Sequence, residues 1–327
     1  MEKISLSKML TSILLVFSFL PRLDSLFLKS INLSYQEKFS SAESLLTISI
    51  EEAGDHPSPY FFLSSLYELM WVDTGRDSFV TKIFSYSDTS IIKAKKWIKI
   101  HPEDAWGYFF MGGAYTIRIF YFVLKDEIIR TIPFLGPALK YLSKAEKIDP
   151  GIIDLYLGLG GWRYFKGHLP FMSSEKEKAL LMIKRASKDA KYVSLYSSLA
   201  YTKILLREKY FDEAISVLKP LTDSFPESRT FNWPLLKAYY GKKDYKNALD
   251  VADKLISISR DNEYSNFESH YYKTKILLAL MRLESAKLTS EEALKIDAPE
   301  DAPDVKDMKK ELKRINHSIK EKLGESE

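Results

Sequence analysis

The chain contains no cysteine in its 327 residues. That excludes disulfides, thiolate metal sites, a cysteine nucleophile and a lipid-modified cysteine behind a leader, so stability must come from packing alone. Histidine is sparse as well. His56, His101, His168, His270 and His317 are scattered, and none falls in the H-E-x-x-H spacing of a zinc protease. No serine occupies a G-x-S-x-G elbow, and no pair of carboxylates is set apart as an acid–base dyad. Charge of one sign is lacking: 48 basic against 44 acidic residues leave a net +4, with no basic stripe of the kind that grips nucleic acid. Alternating strand segments bounded by hairpin signals are absent. Beyond residue 20 there is no apolar run near the length of a membrane span, so no integral span is expected in the mature chain. These absences predict no catalytic residues, no metal site and no cofactor.

What is present begins with the leader. Lys3 and Lys8 precede an apolar run of twelve from Met9 to Leu20, Pro21 breaks it, and small Ser25 offers a cleavage point. This is the plan of a secretory signal peptide over residues 1–25, and it predicts export to the periplasm or outside the cell. Leu23 is bulkier than the residue usual two places before a cut, so the alternative is an uncleaved anchor through residues 9–20.

From Ser34 to Ile296 the apolar pattern is helical, punctuated by turn residues. Phe211, Ala214, Leu218, Leu221 and Pro226 form one unit, and Tyr245, Ala248, Ala252 and Leu255 repeat it 34 residues later. Ala138, Leu142, Ala145 and Pro150 share the spacing, as do Ala179, Ile183 and Ala186. Ala42, Leu46 and Ser49 make an earlier copy, and Ala286, Ser290 and Ala293 a later one. Steps of four and three keep these side chains on one helical face, small residues let two helices approach, and proline stops the helix. The partner helices read aromatic–x2–large–Gly–x2–Tyr at Tyr108, Met111, Gly112 and Tyr115. Looser versions stand at Tyr60, Leu63 and Tyr67, and at Tyr156, Leu159 and Gly160. In these residues the chain resembles tetratricopeptide-repeat (TPR) proteins, of the exported bacterial kind. The resemblance covers most of residues 34 to 298. It implies an all-α, TPR-like α-solenoid: a right-handed superhelix of six or seven antiparallel helix hairpins within residues 26–300.

Departures from the repeat are informative. Thr116 to Pro137 is too long for a turn and is expected to lengthen both helices of one hairpin. The alternative is a protruding apolar edge at Ile117, Phe120 and Phe122. Lys166 to Ser173 is an apolar connector, expected to tuck under the solenoid, with Ser174 and Glu177 as a capping box behind it. Gly158, Gly160 and Gly161 lack the lysine and the strand context of a phosphate loop and are read as close helix packing. Residues 301–327 carry Val305, Met308, Leu312, Ile315 and Ile319 on one stripe, which predicts a C-terminal capping helix and a charged tail.

One constellation points to function. Lys203, Lys237 and Lys275 each lie eleven residues before Ala214, Ala248 and Ala286. In stacked repeats equal offsets bring equal positions to one face. By the resemblance, that face is the concave groove, shared with Arg207, Trp233, Tyr240 and Tyr271, and with Trp106, Phe109 and Tyr164 toward the start. Lysine supplies adaptable charge and aromatic rings supply area. The ligand class these predict is a protein or peptide, acidic or carboxylate-ended. The alternatives are an envelope polysaccharide or lipid head group on the same aromatics, or aromatics that belong to the core beside lysines that coincide by chance. The function expected is non-catalytic: a scaffold or assembly factor for protein–protein interaction.

Overall fold

Apolar residues at helical spacing leave each segment with one stripe to bury, and antiparallel pairing with the next segment buries it. The computed structural model describes residues 22–300, 302 and 304–324, and among these there are fifteen α-helices and no strand. They pair in chain order: α1 (22–35) with α2 (Phe39–Ala53), α3 (Ser58–Thr74) with α4 (Val80–Ile100), and α5 (Ala105–Leu124) with α6 (Ile132–Ile148). Then come α7 (Leu155–Lys166) with α8 (Ser174–Asp189), α9 (Ser194–Arg207) with α10 (Phe211–Ser224), and α11 (Arg229–Gly241) with α12 (Tyr245–Ile258). α13 (Glu263–Ala279) pairs with α14 (Leu283–Lys295), and α15 (Val305–Leu323) closes the series. The fold is all-α and TPR-like, as the residue pattern predicts. Each turn inside a hairpin places one residue in the left-handed region: Glu37, Gly75, Asp126, Phe171, Lys209, Lys243 and Met281.

The helices group into two compact units. The first comprises the described residues up to Tyr67 together with Lys82–Gly158; the second comprises Glu68–Thr81 and the chain from Leu159 on.

In the first unit the core is aromatic. The Phe27 ring lies 4.5 Å from Phe62, and Phe61 lies 5.6 Å and 5.4 Å from Phe109 and Phe110. Burying one such ring contributes about 2–3 kcal/mol. Glycine makes room for them, because a Cβ on Gly113 would stand 2.7 Å from the Phe61 ring. α5 is the one helix among the described residues that is long and apolar enough to cross a membrane, and the apolar-run criterion passed over it. Most of it is buried in this unit, which makes it a core helix. The insertion after Thr116 lengthens α5 and α6 to 20 and 17 residues. Ile117 and Phe122 are buried and Phe120 is partly buried, so they form no protruding edge; the apolar side chains left in the open here are Val123, Ile128, Ile129 and Ile132, in and beside the α5–α6 turn. The leader expected over residues 1–25 lies outside the described residues except for 22–25. These begin α1, where Leu23 and Phe27 are buried.

In the second unit the small residues sit where the repeat needs them. Ala179, Ala214, Ala248 and Ala286 are fully buried near the starts of α8, α10, α12 and α14. A Cβ on Gly160 would meet Ile183 at 2.7 Å, whereas Gly161 faces open space and close packing does not explain it. α15 is the cap. Val305 and Leu312 pack with Phe267 and Ala293, and Ile319 packs with Leu277 and Ala286. Two sequence expectations fail near α8. The Ser174–Glu177 box does not form, because Ser174 is already the first helical residue and Ser173 takes the cap position without a side-chain capping bond. The connector does not tuck away either: Leu169 and Met172 are exposed and Phe171 wholly so.

A candidate interaction surface on the second unit

Trp233 and Lys237 are one helical turn apart on α11, so they share a face. α13 brings Tyr272 against that face. The Lys237 ammonium stands 5.5 Å over the Trp233 ring and 5.6 Å over the Tyr272 ring. Tyr272 is the hub: its ring centroid lies 5.8 Å from Trp233, 5.9 Å from Tyr240 and 5.4 Å from Tyr271. The Trp233 indole donates to Ser265 Oγ at 3.0 Å, which fixes the ring. Tyr272 escaped sequence reading because its neighbour Tyr271 fits the repeat offset equally well. A helix advances 100° per residue, and only the packing decides which of the two faces the row.

Each lysine of the ladder has an acidic neighbour in the same chain. Lys237 Nζ is 3.3 Å from Glu268, whose carboxylate raises the lysine pKa, and 43% of the Lys237 side chain stays exposed. Lys275 Nζ donates to Tyr271 Oη at 3.0 Å and lies 3.1 Å from Glu311 on α15. Burial opposes the Lys275 charge, yet those two hydrogen bonds hold its pKa above the ordinary lysine value. Burial, with Glu311 beside it, pushes the Tyr271 phenol up to about 12. Lys203 is exposed on α9 and acts electrostatically on Glu68.

Glu68 belongs to an acidic segment that sequence reading missed. Residues 68–81, the end of α3 and the turn after it, belong to the second unit, where Glu68 and Asp73 meet Tyr196, Arg229 and Asn262 near the starts of α9, α11 and α13. Tyr196 donates to one Glu68 oxygen at 3.0 Å, while the other has no hydrogen-bond partner; the side chain is buried, and burial raises its pKa to about 8. Asp73 accepts two bonds from Arg229, at 2.8 and 2.9 Å, with both side chains buried. Asn262 closes over it, donating to the Asp73 carbonyl at 2.9 Å and its carboxylate at 3.0 Å. Gly75 then passes so close to Ala302 that a Cβ would stand 2.7 Å away. An acidic segment is thus docked within the chain, hydrogen-bonded by Tyr196, Arg229 and Asn262, with Lys203 of the ladder acting on Glu68 through its charge.

The other expected groove residues divide. Phe109 at 3% and Tyr271 at 7% exposure are core residues, since both rings pack inward against neighbouring aromatics. Trp106 is half-buried against Phe109 and Phe110, and with Phe109 it belongs to the first unit. Tyr164 donates to Glu208 at 2.8 Å, which holds that carboxyl below its ordinary pKa, and Arg207 is exposed on the last turn of α9. Among the described residues no three histidine, aspartate or glutamate side chains converge as a metal site.

No protein-family model matches the sequence, and no curated protein matches it. Among solved structures the chain is similar to a tetratricopeptide repeat protein from Parabacteroides merdae, at 14% identity over 91% of this chain and 98% of that one, with a TM-score of 0.38. It is also similar to yeast Tom70, at 12% identity over 89% and 63% of the two chains, with a TM-score of 0.44. A third is the TPR2AB domain of yeast Sti1 in complex with pHSP90, at 12% identity over 91% and 98%, with a TM-score of 0.30. At identities and scores this low the likenesses carry no argument; the fold rests on the helices themselves.

Proposed function

We propose that the chain is an exported, non-catalytic scaffold that holds a protein or peptide partner on the face shared by α11 and α13 of its second unit. The observation that carries this reading is the row of partly buried Trp233, Tyr240 and Tyr272 with exposed Lys237 over them. Aromatic rings held in place by packing give contact area at little entropic cost, and a cation above them adds charge preference. Because Lys237 and Lys275 already face Glu268 and Glu311, a partner carboxylate competes with an internal one. Aromatic contact then outweighs charge, and the acidic character of the partner is the secondary feature.

Export is supported by Lys3, Lys8, the apolar run and Pro21. A mature N-terminus near Leu26 supports a cleaved leader, whereas an intact Met1 on exported protein supports the anchor. Leu23 is buried in α1, so a cut after Ser25 removes one core side chain.

Partner capture is measured by crosslinking in the cell envelope. The double variant Trp233→Ala, Tyr240→Ala is expected to lose about tenfold or more of the captured partner, as loss of central aromatic anchors does. Unchanged capture rejects the surface. Lys237→Met is preferred to Lys237→Glu, which would set two carboxylates side by side at Glu268. A modest salt-dependent loss with Lys237→Met supports a charged peptide, and salt-independent binding supports a saccharide stacked on the rings.

A further inference from the structure

Two features of the α7–α8 turn belong to no surface described so far. Its side chains point outward, and its base is ringed by cations. Gly167 causes the first. A Cβ there would stand 2.4 Å from Lys176 Cγ and 2.8 Å from the Lys176 amide, so only glycine lets the start of α8 fold back against the end of α7. The six residues between, 168–173, are thrown clear and all exposed. Their backbone closes on itself, with the Leu169 amide bonded to the Lys166 carbonyl at 2.9 Å and the Met172 amide to the Leu169 carbonyl at 3.2 Å. With the polar groups satisfied locally, the side chains are left to solvent. Leu169 and Met172 are exposed, Phe171 is wholly exposed, and Phe165 beside them is stacked on Trp162 at 5.7 Å. Phe171 also sits at a φ of +63°, which disfavours a bulky residue, and no packing of its ring offsets that cost.

The base is electropositive. Arg163, Lys166 and Lys178 all approach Glu175, at 2.7, 3.8 and 3.0 Å. One carboxylate cannot neutralise three cations. Lys176 faces Glu208 at 3.3 Å, and His168 faces the same carboxylate at 3.8 Å. With Glu208 included, Arg163, Lys166, Lys176 and Lys178 stand against Glu175, Glu177 and Glu208, an excess of one positive charge.

We propose that this turn is a prong that docks on an anionic lipid surface. Its apolar side chains enter the boundary between headgroups and acyl chains while the basic collar lies against the phosphates. Charge complementarity selects the occupant, because a net positive collar around an apolar tip matches an anionic bilayer on both counts. Shape agrees. Three exposed apolar side chains on a short turn, with Phe165 on α7 beside them, make a small tip rather than a broad face, and a fluid headgroup layer closes around such a tip. The proposal is independent of the partner surface on α11 and α13 and can fail without it.

The lack of native cysteine makes a local probe simple. Phe171→Cys in the full chain carries an environment-sensitive nitrobenzoxadiazole label, and Met281→Cys, in the exposed α13–α14 turn, carries the control label. Vesicles of phosphatidylglycerol mixed with phosphatidylcholine are compared with vesicles of phosphatidylcholine alone. The expected result is a blue shift and a several-fold rise in emission at position 171 with the anionic vesicles only. That signal should fall with salt and with Lys166→Gln, Lys178→Gln, while position 281 stays silent. A silent label at 171, or equal signals at 171 and 281, overturns the proposal; the second marks attachment through residues 9–20. Equal signals from both vesicle types remove the anionic preference and also overturn it. A shift that grows with protein concentration in the absence of lipid assigns the tip to a second copy of the chain and overturns it as well.

Discussion

Two carboxylates in neighbouring turns of α3 meet opposite fates. Asp73 is buried with a bidentate arginine and an asparagine; Glu68 is buried with one tyrosine hydroxyl and one oxygen left over. Removing one member of a buried ion pair leaves the other charge stranded. Arg229→Met is therefore expected to cost about 3–5 kcal/mol in urea unfolding, while Arg229→Met with Asp73→Leu should recover most of it. A double variant as unstable as the single one would show that the pair is not the origin of the loss. Glu68 makes a signed pH prediction. Its folded pKa of about 8 stands above the ordinary value of 4.5, so between these pH values the folded state binds the extra proton. Stability from this group is full below pH 4.5, falls as pH rises, and is lost above about 8. Glu68→Gln should remove that slope, gaining on the parent by about 5 kcal/mol between the two ends. Parallel stability–pH curves for parent and variant would place the Glu68 pKa near normal.

At the scale of the element, the hairpin turn is the recurring device. Lys209, Lys243 and Met281 are separated by 34 and 38 residues, the same intervals as Ala214, Ala248 and Ala286. The register that fixes the small residue thus fixes the left-handed residue as well, although neither lysine nor methionine favours that conformation. Lys243 is exposed at φ +64°, and Lys243→Gly relieves the clash of its Cβ. The expected gain is about 0.5–1 kcal/mol, less than the full left-handed penalty because glycine also loosens the unfolded chain. A fall in melting temperature would contradict it. The small-residue stripe of the second helices was legible in the sequence, since local spacing determines which face is buried. The connector at 166–173 was not legible: apolar composition alone pointed inward, and the turn geometry set by Gly167 points it outward.

At the scale of the whole molecule, each unit has its own core, and the second ends on α15. Removing residues 303–327 uncovers Phe267, Leu277 and Ala286, and the truncated protein is expected to aggregate and to melt earlier. A soluble truncation of equal stability would show that α15 is not needed as a cap. The same scale explains what became of the lysine ladder. Equal offsets did bring Lys237 and Lys275 into equivalent settings, each with an aromatic ring and a carboxylate. The carboxylates come from α13 and α15, and no periodicity in α11 or α13 announces them.

The sequence by itself determined the helices, their pairing into hairpins and the residues that let them touch, because those depend on spacing over one or two turns of helix. The tertiary structure alone decided which charges meet. Asp73 and Arg229 are 156 residues apart, and their contact exists only once the end of α3 has been brought to the start of α11. It also decided that residues 68–81 pack with the second unit, since burying Asp73 and Glu68 requires partners that no neighbouring stretch of chain provides.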